Sequence, residues 1–336
     1  MNKLVLMFLC FPLFSFGQFT LIPDMAFEQV LVNLGIDNAI DGGVANSSVS
    51  AIDTLIVSNA YIESLVGISA FQSLTYLDCS SNSIDTLDLT YNYLTYLDCS
   101  DNLLTDIDVS NHLNLRTFKC SHNNLGQVDI TVNTSLLYFE CFENQLTTLD
   151  ISDNIFLTEL RCNANQLTNL DVAGIDMYVL VCDNNQLTKI DNLSDNISLK
   201  HLSCSGNNMY SLLLTAHPQL NWLSCSSNNL FQLDISNQPN LNYLFTWGNS
   251  SLNCINVADV SVADATWSVW NGQSGNIDGH HYFSTNCILS SVLDMESSKE
   301  LISIVNLKGQ KTKVFKNEPL LYMYNDGSVE QKIIFE

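Results

Sequence analysis

Between positions 94 and 111 the chain reads LTYLDCSDN, one Leu, and then LTDIDVSN. Apolar residues stand at 94, 97 and 99, and again at 104, 107 and 109, with polar residues between them. This double phrase recurs about every 21 residues from 74 to 257, after a degenerate first copy that begins at 52. A column of cysteines marks the phase: Cys79, Cys99, Cys120, Cys141, Cys162, Cys182, Cys204 and Cys225. A fixed period of this length predicts a solenoid, because a single coil cannot bury its apolar face and neighbours must stack to do so. Alternation in Leu97-Asp98-Cys99 predicts a short strand with Asp98 facing out. The same alternation in Ile107-Asp108-Val109 predicts a second parallel strand column on the opposite side, and hence a flattened, weakly curved stack.

The coil pattern is LxxLxCxxNxLxxLxx. It resembles the leucine-rich repeat, with Cys in a slot where Leu is usual. In the coil starting at Leu94 the matching residues are Leu94, Leu97, Cys99, Asn102, Leu104 and Ile107. An Asn recurs where the chain must turn sharply, at Asn82, Asn102, Asn123, Asn144, Asn165, Asn185, Asn207, Asn228 and Asn249. These side chains are expected to satisfy the turn's backbone groups from inside the core.

The ends of the chain depart from the repeat. Lys3 precedes an apolar run over 4–16 and then Gly17-Gln18, which reads as a secretory signal peptide with cleavage near Gly17. No other stretch approaches a transmembrane helix in length. Residues 22–35 read as a helix: Phe27, Val30, Leu31 and Leu34 share a face, Pro23-Asp24 opens it and Gly35 closes it. An amphipathic lid suits the exposed end of a stack. The loop 37–50 reads as a plain loop, although Asp37 and Asp41 offer oxygens to Ca²⁺. IPDMAFEQVLVNLGID resembles the N-terminal caps of exported bacterial leucine-rich-repeat proteins, and LNCINV and YFSTNC resemble their terminal caps. From 294 onward the repeat ends, and LISIVNLKGQKTKVF and PLLYMYNDGSVEQKIIFE read as β-hairpin sequence. This tail resembles the type A C-terminal sorting domain of the type IX secretion system, through Leu301, Ile304, Asn306, Leu307, Gly309, Tyr322, Tyr324, Asp326, Gly327 and Lys332-Ile333-Ile334. Asn306 and Gln310 stand where Asp and Arg are usual. The resemblance implies engagement of the type IX machinery, removal of the tail, and display on the bacterial cell surface or release.

The expected architecture is therefore a β-rich solenoid of leucine-rich repeats with parallel β columns, a helical N-terminal cap, a C-terminal disulfide cap and a small β-sandwich sorting domain. The boundaries are 1–17 signal peptide, 18–48 cap, 49–257 solenoid, 258–293 cap and 294–336 sorting domain. The disulfide expectation rests on Cys254 and Cys287, which lie outside the cysteine column and bracket a non-repetitive segment with Trp267, Trp270, Tyr282 and Phe283. The eight column cysteines read as small buried apolar residues. Parallel Cβ vectors on adjacent strands suit a disulfide badly.

Charge narrows the function. The net charge is −23, and 19–293 holds 28 acidic and 5 basic residues. Such a body argues against nucleic acid and anionic membranes and admits cations or basic proteins. No P-loop, dinucleotide fingerprint or nucleophile elbow is present. Of the six His, His112, His122 and His217 are assigned to turns and His201 to a strand. His280 and His281 are adjacent and would point apart on an extended chain, so a shared metal is not expected. Lys119, Glu140 and Arg161 read as cross-strand ion pairs. No catalytic residues, cofactor or enzyme activity are assigned. The competing enzyme reading is a polysaccharide-active site on the solenoid, and a passive spacer is a third reading.

What remains is the outward row of the first strand column: Tyr76, Tyr96, Thr117, Tyr138, Glu159, Val179, His201, Trp222 and Tyr243. Aromatics with a polar tip are enriched in binding surfaces, so Tyr76, Tyr96, Tyr138, His201, Trp222 and Tyr243 form the candidate face for an extracellular protein, or alternatively a glycan. On the second strand column an Asp recurs at 88, 108, 129, 150, 171, 191 and 234. At a spacing of about 4.8 Å, neighbouring carboxylates repel by roughly 1 kcal/mol in water. Hydrogen bonds, a solvated acidic face, or weak Ca²⁺ binding at Asp88, Asp108, Asp129, Asp150 and Asp171 would relieve this.

Overall fold

The computed structural model describes residues 19–214, 216–269 and 275–287, together with the strand backbones at 301–306, 319–324 and 329–333. The expected signal peptide, Trp270 and the turns of the tail lie outside these residues. The chain divides into two units, 1–285 and 286–336.

The first unit opens with strand β1 (Phe19–Leu21), helix α1 (Met25–Asn33), strand β2 (Gly43–Ala45) and the single-turn helix α2 (Asn46–Val49). Asp24 starts α1, its Oδ1 accepting from Ala26 N at 2.8 Å and Phe27 N at 2.9 Å. Its Oδ2 accepts from Glu63 N and Ser64 N at 2.7 and 2.8 Å, so one carboxylate ties the helix start to the first coil. Phe27 and Leu31 are fully buried and Val30 partly so. Leu34, expected on the same face, is exposed because α1 ends at Asn33 and Leu34 caps it. β1 and β2 pair antiparallel.

The repeat then lays one three-residue strand per coil. These are β3 (Thr54–Ile56), β4 (Tyr76–Asp78), β5 (Tyr96–Asp98), β6 (Thr117–Lys119), β7 (Tyr138–Glu140), β8 (Glu159–Arg161), β9 (Val179–Val181), β10 (His201–Ser203) and β11 (Trp222–Ser224). After β12 (Leu233–Asp234), strand β13 (Tyr243–Phe245) closes this sheet, which has ten parallel strands among the described residues. The middle residue of each strand points inward and is buried, and the Leu and Cys of successive coils form one continuous core. All eight column cysteines are free and buried. Burial pushes their thiols up, to about 12 at Cys162 and Cys225. We expect slow alkylation of Cys120 and Cys162 in the native protein and rapid labelling after denaturation, read by peptide mass mapping. Fast native labelling would contradict the buried column.

The nine repeat asparagines behave as expected from the sequence. In each coil Asn Nδ2 donates to the Cys-position carbonyl of its own coil and of the preceding one, for example Asn144 to Cys141 O (3.2 Å) and Cys120 O (3.0 Å). Its Oδ1 accepts from a backbone N–H of the preceding coil, Leu125 N at 3.0 Å. The residue just before each Asn is left-handed, as at Ser81 (φ 55°), Asp101 (54°) and Ala164 (53°), which makes the sharp turn.

The second strand column does not form as expected. Across the Asp-bearing halves of the coils, strand pairing is confined to an isolated bridge from Asp171 to Asp191 and to β12 with its neighbours, among the described residues. Most of these Asp carboxylates take the N–H two residues on (Asp88 from Thr90 at 3.0 Å, Asp108 from Ser110 at 2.8 Å), which bends the chain locally; Asp171 and Asp234 make the same bond and still pair, so this bond is compatible with either outcome. Grooves open between coils there, one of about 480 Å³ along Leu87, Asp88, Asp106 and Asp108.

At the C-terminal end β12 pairs with β14 (Cys254–Asn256), which pairs with β15 (Tyr282–Ser284). Between them lies helix α3 (Val260–Thr266), which the apolar pattern did not reveal; Asp259 caps its start. Cys254 and Cys287 are disulfide-bonded. Among the described residues of the second unit, β16 (Leu301–Asn306), β17 (Pro319–Tyr324) and β18 (Val329–Ile333) form an antiparallel sheet with β17 in the centre. The expected strand after Gly309 lies outside the described residues.

Candidate binding face

The register of the ten-stranded sheet places Tyr76, Tyr96, Thr117, Tyr138, Glu159, Val179, His201, Trp222 and Tyr243 in one row. In-register parallel strands bring each side chain against the next, and the aromatic ones stack. Tyr76 and Tyr96 lie 4.0 Å apart between centroids with planes 5° apart. His201 and Trp222 lie 5.2 Å apart at 7°. Trp222 also meets Tyr243 at 4.9 Å and Phe245 at 5.2 Å. Burial and the neighbouring Tyr76 hydroxyl push the Tyr96 phenol well up. Burial pulls the His201 imidazole down, with Arg161 adding to the effect. Both groups are therefore neutral at pH 7 and present hydrogen-bonding tips rather than charge.

The row has three parts. Tyr76 and Tyr96 form one aromatic patch, and His201, Trp222, Tyr243 and Phe245 form another. Between them lies an ion network: Lys119 Nζ to Glu140 at 3.7 Å, Arg161 Nε to Glu140 at 3.7 Å and Arg161 Nε to Glu159 at 2.6 Å. The Lys119–Glu140 and Arg161–Glu140 pairs are the cross-strand pairs expected from alternating signs, whereas Arg161–Glu159 lies within one strand. They are partly exposed and each is worth little by itself. Tyr138 stands 46% exposed beside this network and Tyr243 is 51% exposed, so both are open to a partner.

The Asp column lies away from this sheet. Thr90, Ser110, Thr131 and Ser152 hold the carboxylates of Asp88, Asp108, Asp129 and Asp150 below the usual range through hydrogen bonds, which outweigh the upward push from neighbouring Asp residues where one is felt. Asp171 accepts from Ala173 N and Asn192 Nδ2. With these bonds in place we expect equal melting temperatures in millimolar Ca²⁺ and Mg²⁺ at matched ionic strength. A Ca²⁺-specific rise would place ions along the column.

Sequence reasoning missed a second polar ladder. Asn92, His112, Asn133, Asn154, Asn196, His217 and Gln238 are buried at one position of their coils, the run broken once where Ile175 takes the slot. Asn133 Nδ2 donates to Val109 O and His112 O at 3.0 Å, Asn154 Nδ2 to Ile130 O at 3.1 Å, and His217 Nε2 meets Leu193 O at 3.0 Å. His112 and His217 are thus internal backbone partners. The signal was present as a polar residue three positions before the first Leu of most coils, but Asn, His and Gln share the slot. The structure also corrects the reading of His280 and His281. They sit in a turn, not an extended segment, and their rings meet edge to face at 4.6 Å.

No protein-family model matches the chain, and no curated protein matches it in sequence. Solved structures do. The functional domain of InlJ from Listeria monocytogenes, described as including a cysteine ladder, superposes with a TM-score of 0.55 at 25% identity, over 71% of this chain and 66% of that one. The chain thus spans just under two thirds of that domain. The APL1 leucine-rich repeat domain gives 0.54 at 20% identity, covering 63% of each chain. The LRIM1/APL1C complex gives 0.53 at 21%, covering 63% of this chain and 41% of that one. The fold is that of leucine-rich-repeat proteins. Among the described residues no helix is long and apolar enough to cross a membrane.

Proposed function

We propose that the chain is a secreted or cell-surface scaffold that engages a protein partner through the outward face of its strand column. Ring geometry carries the choice of a protein over a glycan. Sugar rings stack on open aromatic faces. Here Tyr76 covers Tyr96, and His201 covers Trp222, so those faces are spent on each other. What points outward is ring edges and polar tips, which suit the hydrogen bonds and edge contacts of a protein hot spot. The LRIM1/APL1C neighbour, a protein–protein complex by its description, is consistent with this use of the fold. The self-paired network between the patches reads as a spacer that orients a partner, rather than as an acid–base site.

Export completes the proposal. The 1–17 leader and the 294–336 tail are read as addresses, the second for the type IX machinery. Intact-mass analysis of the native surface protein should show a chain starting near Gln18 and lacking most residues after Asp294. A mature chain that ends at Glu336 would remove the sorting domain from the account.

The binding claim is tested by a photo-reactive side chain placed at Tyr138 on the face, or at Thr131 beside the Asp column, followed by irradiation in the native surroundings. A discrete protein adduct from position 138 alone supports the proposal. Equal labelling from both positions, or retention on a glycan array that Trp222→Ala abolishes, would overturn it.

A further inference from the structure

The turn that closes the C-terminal cap gathers three metal-ligating side chains. Asp278, His280 and His281 each offer a ligand atom, and these atoms all lie within 4.8 Å of one another. The backbone makes this possible. His281 N returns to Asp278 O at 3.1 Å, closing a four-residue turn that folds side chains 278 and 281 to one side. His281 is buried against the last coil, and His280 is exposed above it.

The surroundings of His281 resemble a ligand awaiting an ion more than a finished hydrogen-bond site. Its Nε2 lies 3.3 Å from Asn249 O and 3.6 Å from Asp278 Oδ2. Both distances exceed the usual N–H···O length of about 2.9–3.0 Å. Two ligands at about 2.0–2.1 Å from a tetrahedral Zn²⁺ stand roughly 3.3–3.4 Å apart, close to the separation seen here. Asp278 Oδ2 is fixed by Gly248 N at 2.7 Å, and His281 Nδ1 lies 3.2 Å from Thr246 Oγ1. These are the outer contacts that orient ligands in metal sites.

We propose that Asp278, His280 and His281 bind one divalent transition-metal ion of the zinc class, and that the ion pins the terminal turn to the last coil. Two imidazoles and one carboxylate favour such an ion over Ca²⁺ or Mg²⁺, which take oxygen ligands. On binding, the His281 proton moves from Nε2 to Nδ1, where Thr246 Oγ1 accepts it. The Asp278 N–H, now 3.3 Å from Nδ1, gives up that contact. The ion would lock the end of the asparagine ladder, since Asn249 is its last member and Gly248 the last left-handed turn. The other such group among the described residues, Glu28 with Asp37 and Asp41, differs: one Glu28 oxygen is already filled by three backbone amides.

The test uses the full chain, stripped with a chelator and titrated with Zn²⁺, and with Co²⁺ as an optical probe. We expect one ion per chain, visible Co²⁺ bands without thiolate charge transfer, and a melting temperature that rises with Zn²⁺ but not with Ca²⁺. Binding should weaken in acid, because both imidazoles must be neutral. His280→Ala, an exposed change, should leave the metal-free melting temperature unaltered and weaken binding by at least about tenfold. His122→Ala should bind as the parent does. Absence of stoichiometric binding, unchanged affinity in His280→Ala, or thiolate bands from the cysteine column would each overturn the site.

Discussion

Replacing Asn144 by Ala is expected to cost about 3–5 kcal/mol, more than most core truncations of similar size. Asn144 Oδ1 accepts Leu125 N at 3.0 Å, and Nδ2 donates to Cys120 O and Cys141 O at 3.0 and 3.2 Å. Every one of these partners is buried backbone. Deleting the amide leaves Leu125 N–H without its partner, at about 1–3 kcal/mol, and removes one of two bonds at each carbonyl, Cys120 O keeping Asn123 and Cys141 O keeping Asn165, at about 0.5–1.5 kcal/mol each. The loss also falls between coils, because Leu125 and Cys120 belong to the preceding coil. In a stack whose stability is a sum of neighbour interfaces, cutting one interface lowers cooperativity as well as stability. Denaturant unfolding should show a lower midpoint and a broadened transition. Gln145→Ala, an exposed change one residue away, should stay within about 0.5 kcal/mol. If Asn144→Ala matched that control, the ladder would not be what holds adjacent coils together.

The ladder was legible because one residue type keeps one slot through nine coils, so chemistry and phase coincide. Strand positions were legible for the same reason: Leu97-Asp98-Cys99 alternates, and the backbone pairs in the register that the alternation requires. The Asp-bearing half misled because Ile107-Asp108-Val109 alternates identically, yet a Ser or Thr usually stands two residues after the Asp. That short polar pair bends the chain locally, but Asp234 with Ser236 makes the same bonds and still pairs with the next coil, so the pattern does not tell which coils pair. Period-2 patterning gives which face is buried but not whether the backbone is free to pair. His112 and His217 were hidden by chemical variety within one slot. His280 and His281 were hidden because adjacency implies divergence only if the backbone is extended. On the binding face, sequence supplied the row of aromatics; the stacking that sets their faces against each other, with ring planes 5° and 7° apart, is encoded by no pattern.

Glu28 is the residue whose role the sequence concealed most. In an amphipathic helix a Glu next to Phe27 reads as solvent-facing, yet Glu28 is 1% exposed. Its Oε1 accepts three successive backbone amides, Asp41 N at 2.8 Å, Gly42 N at 2.7 Å and Gly43 N at 2.9 Å. Consecutive amides converge on one oxygen because Gly42 adopts φ 91°, which curls the loop into an anion-binding nest. The carboxylate therefore holds the loop that carries β2, and β2 holds β1. Glu28→Ala should orphan all three amides and cost about 3–5 kcal/mol, tempered only as far as the loop can open to water. Glu28→Gln keeps an oxygen but loses the charge that strengthens each bond, so about half that loss is expected. Hydrogen exchange reads the effect directly: amides 41–43 and the β1–β2 pair should lose protection in Glu28→Ala while the strand column keeps its own. If amides 41–43 stayed protected in Glu28→Ala, the loop would be held by its turn geometry and not by the buried carboxylate.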